Sequence, residues 1–350
     1  MEYSRRHFLG KAVTGLGAML LHPRFAGAMP VYGNIERIVP QLPPPEQKLR
    51  LLIDTDAATE IDDVYAIALA LASSERFAIE GFVATHWAAH SGPDSIDKSY
   101  VQLLELLEVA GVAGKYPVKK GGHPMQYRNT PSKSEGADLI IERAFHGSED
   151  SPLWVVGLGA ATNLASALLI EPSISRRVRY VFHSRSHMTW PERSVQWNVQ
   201  NDILAVRALL QSKAPLVWFD TGTYLTRPIA ETEKYVAPSG RLGKYLHEFR
   251  FRHPGYLKDD KGFFDVGDFV WLMKPEFCRS EIVKAPTMDQ MMYFDHENTN
   301  GEMVRVYDID RERSWKLFDD QLAQYARSTE QQSKKTNLKN EDERKSNHDW

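Results

Sequence analysis

The sequence contains almost no cysteine, no long apolar run and no strong excess of either charge, and each absence excludes a class of protein. Cys278 is the only cysteine in 350 residues, so no intramolecular disulfide can form. No segment approaches the roughly 18 consecutive apolar residues of a membrane-spanning helix. The net charge is −3 and basic residues form no continuous stretch, which argues against nucleic acid as a partner.

The N-terminus resembles a twin-arginine export signal. Arg5 and Arg6 precede a weakly apolar run, residues 12–21, and then the small residues Ala26-Gly27-Ala28. This order is typical of a secretory signal with a cleavage position after small residues, the alternative being an ordinary basic amphipathic segment. We therefore expect residues 1–28 to be cleaved near Ala28 on export to the periplasm. No cysteine lies near the cleavage position, so no stable membrane anchor is expected.

The rest of the chain divides into a lead-in, one large domain and a tail. The Pro-rich residues 29–48 are predicted to form an extended lead-in. Residues 327–350 are almost all charged or polar, which predicts a disordered tail. Between them, residues 49–326 alternate short apolar runs with helical periodicity. This alternation predicts an α/β fold with a mostly parallel sheet flanked by helices.

Five predicted strands and four predicted helices define this sheet. The strands are Leu49–Asp54, Ala78–Thr85, Leu153–Gly157, Arg179–His183 and Leu216–Asp220. The helices are Asp63–Ser73, Ser95–Ala110, Asn163–Ile170 and Asp202–Ser212. Ligands of such sheets bind beyond the carboxyl ends of the strands, so the polar residues that follow each strand are the candidate site.

The first predicted strand ends in an acidic cluster. Five carboxylates fall within ten residues: Asp54, Asp56, Glu60, Asp62 and Asp63. Carboxylates this close repel one another unless a cation neutralises them, and a hard divalent cation binds several carboxylate oxygens at once. Helix capping by Asp62 or Thr59 accounts for one or two of these residues. It does not account for Asp54 and Asp56 at the end of an apolar strand, so a metal site is the favoured interpretation.

Four segments, in order along the chain, carry a resemblance to a known family. They are Leu52–Asp56 with Ile61–Asp63, residues 156–165, Gln196–Val199 with Asp202, and Phe264–Val266 followed by Lys274–Glu276. Together they resemble the inosine–uridine-preferring nucleoside hydrolase family over Leu51 to Glu276. The resemblance implies a Rossmann-like nucleoside hydrolase fold. It also implies calcium-dependent hydrolysis of the N-glycosidic bond of a ribonucleoside or related N-riboside, a small-molecule substrate.

The resemblance also implies roles for individual residues. The expected calcium ligands are Asp56, Asp63, Asp265 and the main-chain carbonyl of Leu158. The expected substrate-binding residues are Asp62, Glu60, Asn198, Gln196, Trp197 and His86. Asp56 would in addition be the general base toward the metal-bound water that attacks C1′. Asp54 would support the cluster without contacting the metal.

Two departures from the family pattern affect the sugar site. Five residues, Ala57 to Ile61, separate Asp56 from the Asp62-Asp63 pair where the family usually has three. The ribose-binding carboxylate could therefore be Glu60 or Asp62. Gln196 replaces an acid of the family, which removes one negative charge from beside the sugar.

A third departure affects the leaving group, because Phe264 stands where many members carry a histidine that could protonate the departing base. Another acid could replace it, and the candidates are His86, His90, His187 and Tyr224. Alternatively, the leaving group needs little help. Four aromatic residues on the same loops are either core residues or a stacking surface for a flat ligand: Trp87, Trp190, Trp197 and Phe264.

The departures leave three functions open. The favoured one is an active N-ribohydrolase, because the expected metal-binding set is complete. The second is a calcium- and sugar-binding protein that kept the fold but lost catalysis. The third is hydrolysis of another glycosidic or ester bond with the same metal. The sequence leaves open whether the protein forms a homo-oligomer.

Overall fold

The structure, a computed structural model, describes residues 36–346, and the side chains of residues 36–331. The predicted signal segment, residues 1–28, lies outside this range and stays a prediction. No helix within the described residues is both long and apolar enough to cross a membrane.

Eight strands form one sheet in the order β3-β2-β1-β4-β5-β6-β8-β7. The strands are β1 Leu49–Thr55, β2 Phe77–Ala84, β3 Val118–Lys120, β4 Leu153–Gly157, β5 Val178–His183, β6 Leu216–Phe219, β7 Cys278–Met288 and β8 Phe294–Ile309. All neighbouring pairs are parallel except β7 and β8, which are antiparallel. The predicted α/β fold with a mostly parallel sheet is confirmed.

Helices cover both faces of this sheet. They are α1 Asp62–Ala72, α2 Ala88–Ser91, α3 Ser95–Val109, α4 Glu135–Phe145, α5 Thr162–Ile170, α6 Trp197–Asn201, α7 Ile203–Gln211, α8 Ile229–Glu231, α9 Gly240–Phe249, α10 Val266–Met273 and α11 Arg311–Ser346. Successive residues of a strand point to opposite faces, so Leu51 and Ile53 of β1 join one core and Leu52 joins the other. Burial on both faces explains why the central strands are almost wholly apolar.

The lead-in is held to the domain by two arginines. Arg37 is buried and donates to the carbonyls of Leu209, Leu210 and Ser212 at 3.1, 2.9 and 2.6 Å, at the end of α7. Arg76, after α1, donates to the carbonyls of Pro43, Pro44 and Gln47. These bonds fix an extended segment that has no regular secondary structure of its own.

The C-terminal helix extends further than the sequence indicates. Its first turns bury Trp315, Phe318 and Leu322 against the core. It then continues through residues 327–346, where we predicted a disordered tail. The prediction considered only the apolar surface that the segment can bury. The segment is also rich in Glu, Gln, Lys and Arg, which have high intrinsic helix propensity, and this accounts for the difference.

A hydrogen bond from the Tyr65 side chain links α1 to α9. We expect Tyr65→Phe to lower the free energy of unfolding by about 1 kcal/mol. The Tyr65 hydroxyl is buried and donates to the carbonyl of Leu246 at 3.0 Å. Phenylalanine keeps the ring contacts with Phe263 and Phe318 but leaves that carbonyl without its partner. Urea unfolding measures the effect, and Tyr127→Phe on the exposed surface is the control. Equal midpoints for both variants would contradict the prediction.

Candidate active site

The predicted strand ends meet at one rim of the sheet. Asp54 of β1 aligns with Gly157 of β4, which aligns with Phe182 of β5. A cavity of about 370 Å³ opens beyond these ends. Its lining consists of Asp56, Thr59, Glu60, Asp62, Asp63, Trp87, His90, Ser91, Leu158, His183, Arg185, Gln196, Trp197, Asn198, Phe264 and Asp265. Segments distant in sequence therefore contribute to one site.

A cluster of carboxylates lies at the base of this cavity. Helices α1 and α10 pack together, and Asp62 and Asp63 at the start of α1 meet Asp265, which directly precedes α10. Oxygen atoms from these three carboxylates lie within 4.8 Å of one another, and each residue is at most 5% exposed. Asp56 lines the same cavity but lies outside this group of three. Its Oδ2 accepts a hydrogen bond from the Thr59 hydroxyl at 2.8 Å.

Burial, with added repulsion between neighbours, disfavours the charged form of the carboxylates in this cluster. Burial raises the pKa of Asp56 to about 7; the Thr59 hydrogen bond opposes the rise and the charge of Asp62 adds to it. Burial also raises the pKa of Asp63 well above its usual range, with further repulsion from Asp56 and Asp62. The pKa of Asp265 is raised in the same way. Without a cation, these carboxylates resist being charged together.

The donor set fits a hard divalent cation. The cluster offers buried carboxylate oxygens, which calcium and magnesium prefer, and no histidine or cysteine belongs to the Asp62–Asp63–Asp265 group. Asp63 is oriented by the Thr55 hydroxyl, which donates to its Oδ1. Because burial, with added repulsion, raises the pKa values of Asp56, Asp63 and Asp265, a bound cation would favour their charged form. The predicted ligand set, Asp56 with Asp63 and Asp265, stays a prediction.

Asp54 lies behind the cluster, at the end of β1. It is fully buried and its Oδ2 accepts a hydrogen bond from Asn163 at 2.8 Å, while its Oδ1 has no partner. Burial raises its pKa well above the usual range, and the charge of Asp56 adds to the rise. Asp54 is absent from the cavity lining, and its supporting role stays a prediction.

Asn198 lines the cavity and contacts the carboxyl ends of both β4 and β5. Its Nδ2 donates to the carbonyl of Leu158 at 2.5 Å and to that of His183 at 3.1 Å. Gln196 caps α6 by accepting from the Asn198 amide at 2.8 Å. The two predicted substrate residues and the Leu158 carbonyl are therefore in direct contact. Gln196 has a local structural role in addition to lining the cavity.

The two candidates for the ribose-binding carboxylate differ in exposure and in ion pairing. The Glu60 side chain is 45% exposed and forms an ion pair with Lys261. Asp62 is buried beside Asp63 and Asp265 and forms no salt bridge within the described side chains. Both residues line the cavity, and the assignment of either one to a sugar hydroxyl stays a prediction.

The prediction that His86 binds substrate requires correction. His86 is fully buried outside the cavity, and its Nε2 lies 2.7 Å from the Thr162 hydroxyl. That hydroxyl in turn donates to Asp202 at 2.7 Å, so His86 belongs to a buried hydrogen-bond chain. Burial lowers its pKa to about 4. The loop after β2 turns so that Trp87 and His90 face the cavity instead.

Aromatic side chains form a wall of the cavity. Trp87, Trp197 and Phe264 line it, and His90 stacks on Trp197 with ring centroids 3.7 Å apart. Trp190 does not, because it packs against Phe294. Of the four candidates for a leaving-group acid, His90 alone is among the lining residues. The cavity therefore offers a flat ligand both aromatic side chains and carboxylates.

Sequence reasoning missed two groups that the structure places in the cavity. His183 is buried, its Nδ1 lies 2.7 Å from Asp268, and its Nε2 has no partner among the described side chains. Arg185, two residues further on, also lines the cavity. The available signal was the position of His183 as the polar last residue of an apolar strand. The residues predicted to bind substrate after this strand, Gln196 and Asn198, lie well beyond its end.

Comparisons with known proteins agree on one family and one fold. A family model described as inosine-uridine preferring nucleoside hydrolase matches residues 51–316. A plant nucleoside hydrolase superimposes with a TM-score of 0.62 at 18% identity, covering 80% of this chain and 99% of its own. A purine-preferring ribonucleoside hydrolase from Gardnerella vaginalis gives 0.62 at 18% identity, covering 79% and 99%.

A third solved structure is an inosine-uridine preferring nucleoside hydrolase from Bacillus anthracis. It superimposes with a TM-score of 0.58 at 14% identity, covering 79% of this chain and 99% of its own. No curated protein matches the sequence significantly. At these identities the solved structures establish the fold alone.

Proposed function

Because the chain belongs to the inosine-uridine preferring nucleoside hydrolase family, whose members are metal-dependent glycosidase-type enzymes, we propose that it hydrolyses the N-glycosidic bond of a ribonucleoside or related N-riboside with bound calcium. One observation carries this proposal: a single cavity combines four buried aspartates with an aromatic wall. Carboxylates stabilise the positive charge that develops on a sugar when its glycosidic bond breaks. The aromatic faces suit a planar base.

Calcium would be held by Asp56, Asp63 and Asp265 together with the carbonyl of Leu158, and all four residues line the cavity. When bound, the ion would lower the pKa of a coordinated water and neutralise the carboxylates around it. Asp56 is the group assigned to take the proton from the attacking water. Its orientation is fixed by the Thr59 hydroxyl and amide, which donate to its carboxylate and its carbonyl at 2.8 Å each.

The sugar would be positioned by Asp62 and Asn198. Asp62 presents a buried carboxylate to the cavity, and Asn198 is held by two main-chain carbonyls, so Asn198 is oriented before substrate binds. Groups fixed in advance stabilise a transition state more effectively than groups that must be ordered during the reaction.

The test is release of base and ribose from a panel of ribonucleosides, with calcium and with chelator. Release that requires calcium supports the proposal. Calcium binding by calorimetry without release from any nucleoside would replace it with a binding function or with hydrolysis of another bond. Absence of calcium binding would reject the metal site itself.

We further propose that the protein is exported to the periplasm by its twin-arginine type N-terminus. The support is the sequence alone, namely Arg5-Arg6, the short apolar run and Ala26-Gly27-Ala28. Replacing both arginines with lysine should leave the full-length chain in the cytoplasm of an expressing bacterium. If the variant is instead recovered from the periplasm with its signal cleaved, in the same amount as the wild type, this route is rejected.

A further inference from the structure

Arg185 occupies an unusual position on the aromatic wall of the cavity. Its guanidinium carbon lies 3.8 Å from the centroid of the Phe264 ring, and both residues line the cavity. Its backbone φ is +45°, in the left-handed region that residues with a side chain rarely adopt. Uncommon backbone conformations of this kind persist where surrounding structure enforces them, and they cluster at functional sites.

Arg185 also differs from the other cation near this ring. Lys261 has its Nζ 4.8 Å from the Phe264 centroid, but it forms an ion pair with Glu60. Arg185 forms no salt bridge with any side chain of the described region, and its contact is with the ring face. A guanidinium keeps its charge at all relevant pH values and presents several N–H donors in one plane. Its charge is therefore available to a ligand in the cavity.

We propose that Arg185 is a catalytic residue that stabilises the negative charge developing on the departing base. The inference rests on the proposed N-ribohydrolase function. Phe264 and the guanidinium stacked on it both line the cavity, so a base bound there shares the cavity with this positive charge. Arg185 thus performs electrostatically what a protonating acid performs elsewhere. Of the candidate acids, His86 is buried outside the cavity, and His187 and Tyr224 are not among its lining residues. His90 does line the cavity, with its ring stacked on Trp197 and not on Phe264.

The step balances without a protein acid. The C1′–N bond breaks and its electron pair remains on the base, which leaves as an anion beside Arg185. The water oxygen forms the new C1′–O bond, and its proton passes to the Asp56 carboxylate. The released base takes a proton from solvent, and Asp56 returns its proton to solvent. The sum is riboside plus water giving ribose plus neutral base.

Charge that develops only in the transition state should affect kcat rather than KM. We expect Arg185→Met to lower kcat for inosine by about 100-fold or more, the loss typical of removing one stabilising donor from a developing anion. KM should change by less than about 3-fold. With p-nitrophenyl β-D-ribofuranoside, whose leaving group is a stable anion, kcat should fall by less than about 5-fold.

Two further variants make the test specific to this charge. Arg185→Lys keeps a cation and should retain more inosine turnover than Arg185→Met. Arg193→Met is the matched control, because Arg193 lies over the Tyr293 ring outside the cavity. Its kcat should equal that of the wild type for both substrates. Thermal midpoints of all variants establish that differences in turnover do not reflect unfolding.

The outcomes separate this inference from the proposed function. Wild-type release from neither substrate overturns the proposed function and this inference with it. Wild-type release with equal losses on both substrates in Arg185→Met overturns the inference alone, because the residue would then be structural. A rise in KM at constant kcat also overturns it, since Arg185 would then recognise the bound substrate and not the departing base.

Discussion

Replacing Asp56 with alanine is expected to lower kcat for ribonucleosides by about 1,000-fold or more and to weaken calcium binding at the same time. Asp56 follows β1 directly, is 2% exposed and shares its cavity with Asp63 and Asp265. It is assigned both the proton of the attacking water and a place among the calcium ligands. Loss of either role alone would cost orders of magnitude in rate.

Two measurements separate these roles. Calorimetry gives the calcium affinity of each variant, and turnover at saturating calcium gives kcat. Asp56→Asn keeps the size of the side chain but removes its charge and basicity, so it should retain less than about 1% of wild-type kcat. Asp150→Ala, on the exposed surface, is the control for general effects of removing an aspartate. Unchanged calcium affinity in Asp56→Ala would contradict the ligand role, and unchanged kcat would contradict both roles.

In the presence of chelator, the protein is expected to be most stable near pH 5 and to lose stability toward pH 8. Burial, aided by repulsion from neighbouring carboxylates, raises the pKa of Asp56 to about 7 and those of Asp63 and Asp265 above their usual range. Between the unfolded pKa, about 4, and these folded values, the folded state binds more protons than the unfolded state. Stability therefore falls as pH rises through this window.

Calcium should reverse much of this loss, because it binds the charged form of the carboxylates. At 100 times its dissociation constant, a ligand of the folded state adds about 2.7 kcal/mol, which corresponds to about 5 °C or more in melting temperature. Scanning calorimetry from pH 5 to 8, with calcium and with chelator, measures both effects. The calcium shift should be largest at pH 8 and smallest at pH 5.

Asp54 and Asp268 provide an internal check on the pH profile. Burial raises their pKa values too, although neither belongs to the expected ligand set. Part of the loss toward pH 8 should therefore remain with calcium present. A melting temperature that rises with pH under chelator would contradict the electrostatic argument, and no calcium shift at pH 8 would contradict the metal site.

The central strands were predictable because burial on both faces of the sheet leaves a clear apolar run in the sequence. β4, Leu153–Gly157, has the predicted bounds, and β1 differs by one residue at its end. The β7–β8 hairpin was missed because β7, Cys278–Met288, mixes polar and apolar residues without a clear apolar run, and residues 279–282 are exposed. A strand at the edge of a sheet shows little of the apolar pattern on which sequence prediction relies.

The residues of the candidate site that lie on one short motif were predictable from the sequence. The residues whose position depends on the path of a loop were not. Asp56, Asp62 and Asp63 follow one strand closely, so their convergence is local. After β2, the side chains that reach the cavity depend on how the backbone turns, and the loop buries His86 while presenting Trp87. Arg185 depends on a left-handed backbone conformation that nothing in its own residue type indicates.

The attachment of Arg37 has a consequence for the timing of folding during synthesis. Its carbonyl partners, Leu209, Leu210 and Ser212, lie 172 to 175 residues later in the chain. At about 5–20 residues per second, a ribosome needs roughly 10–35 s to make the intervening chain. The lead-in therefore leaves the ribosome long before its docking surface exists, and it cannot reach its final place until α7 has been made.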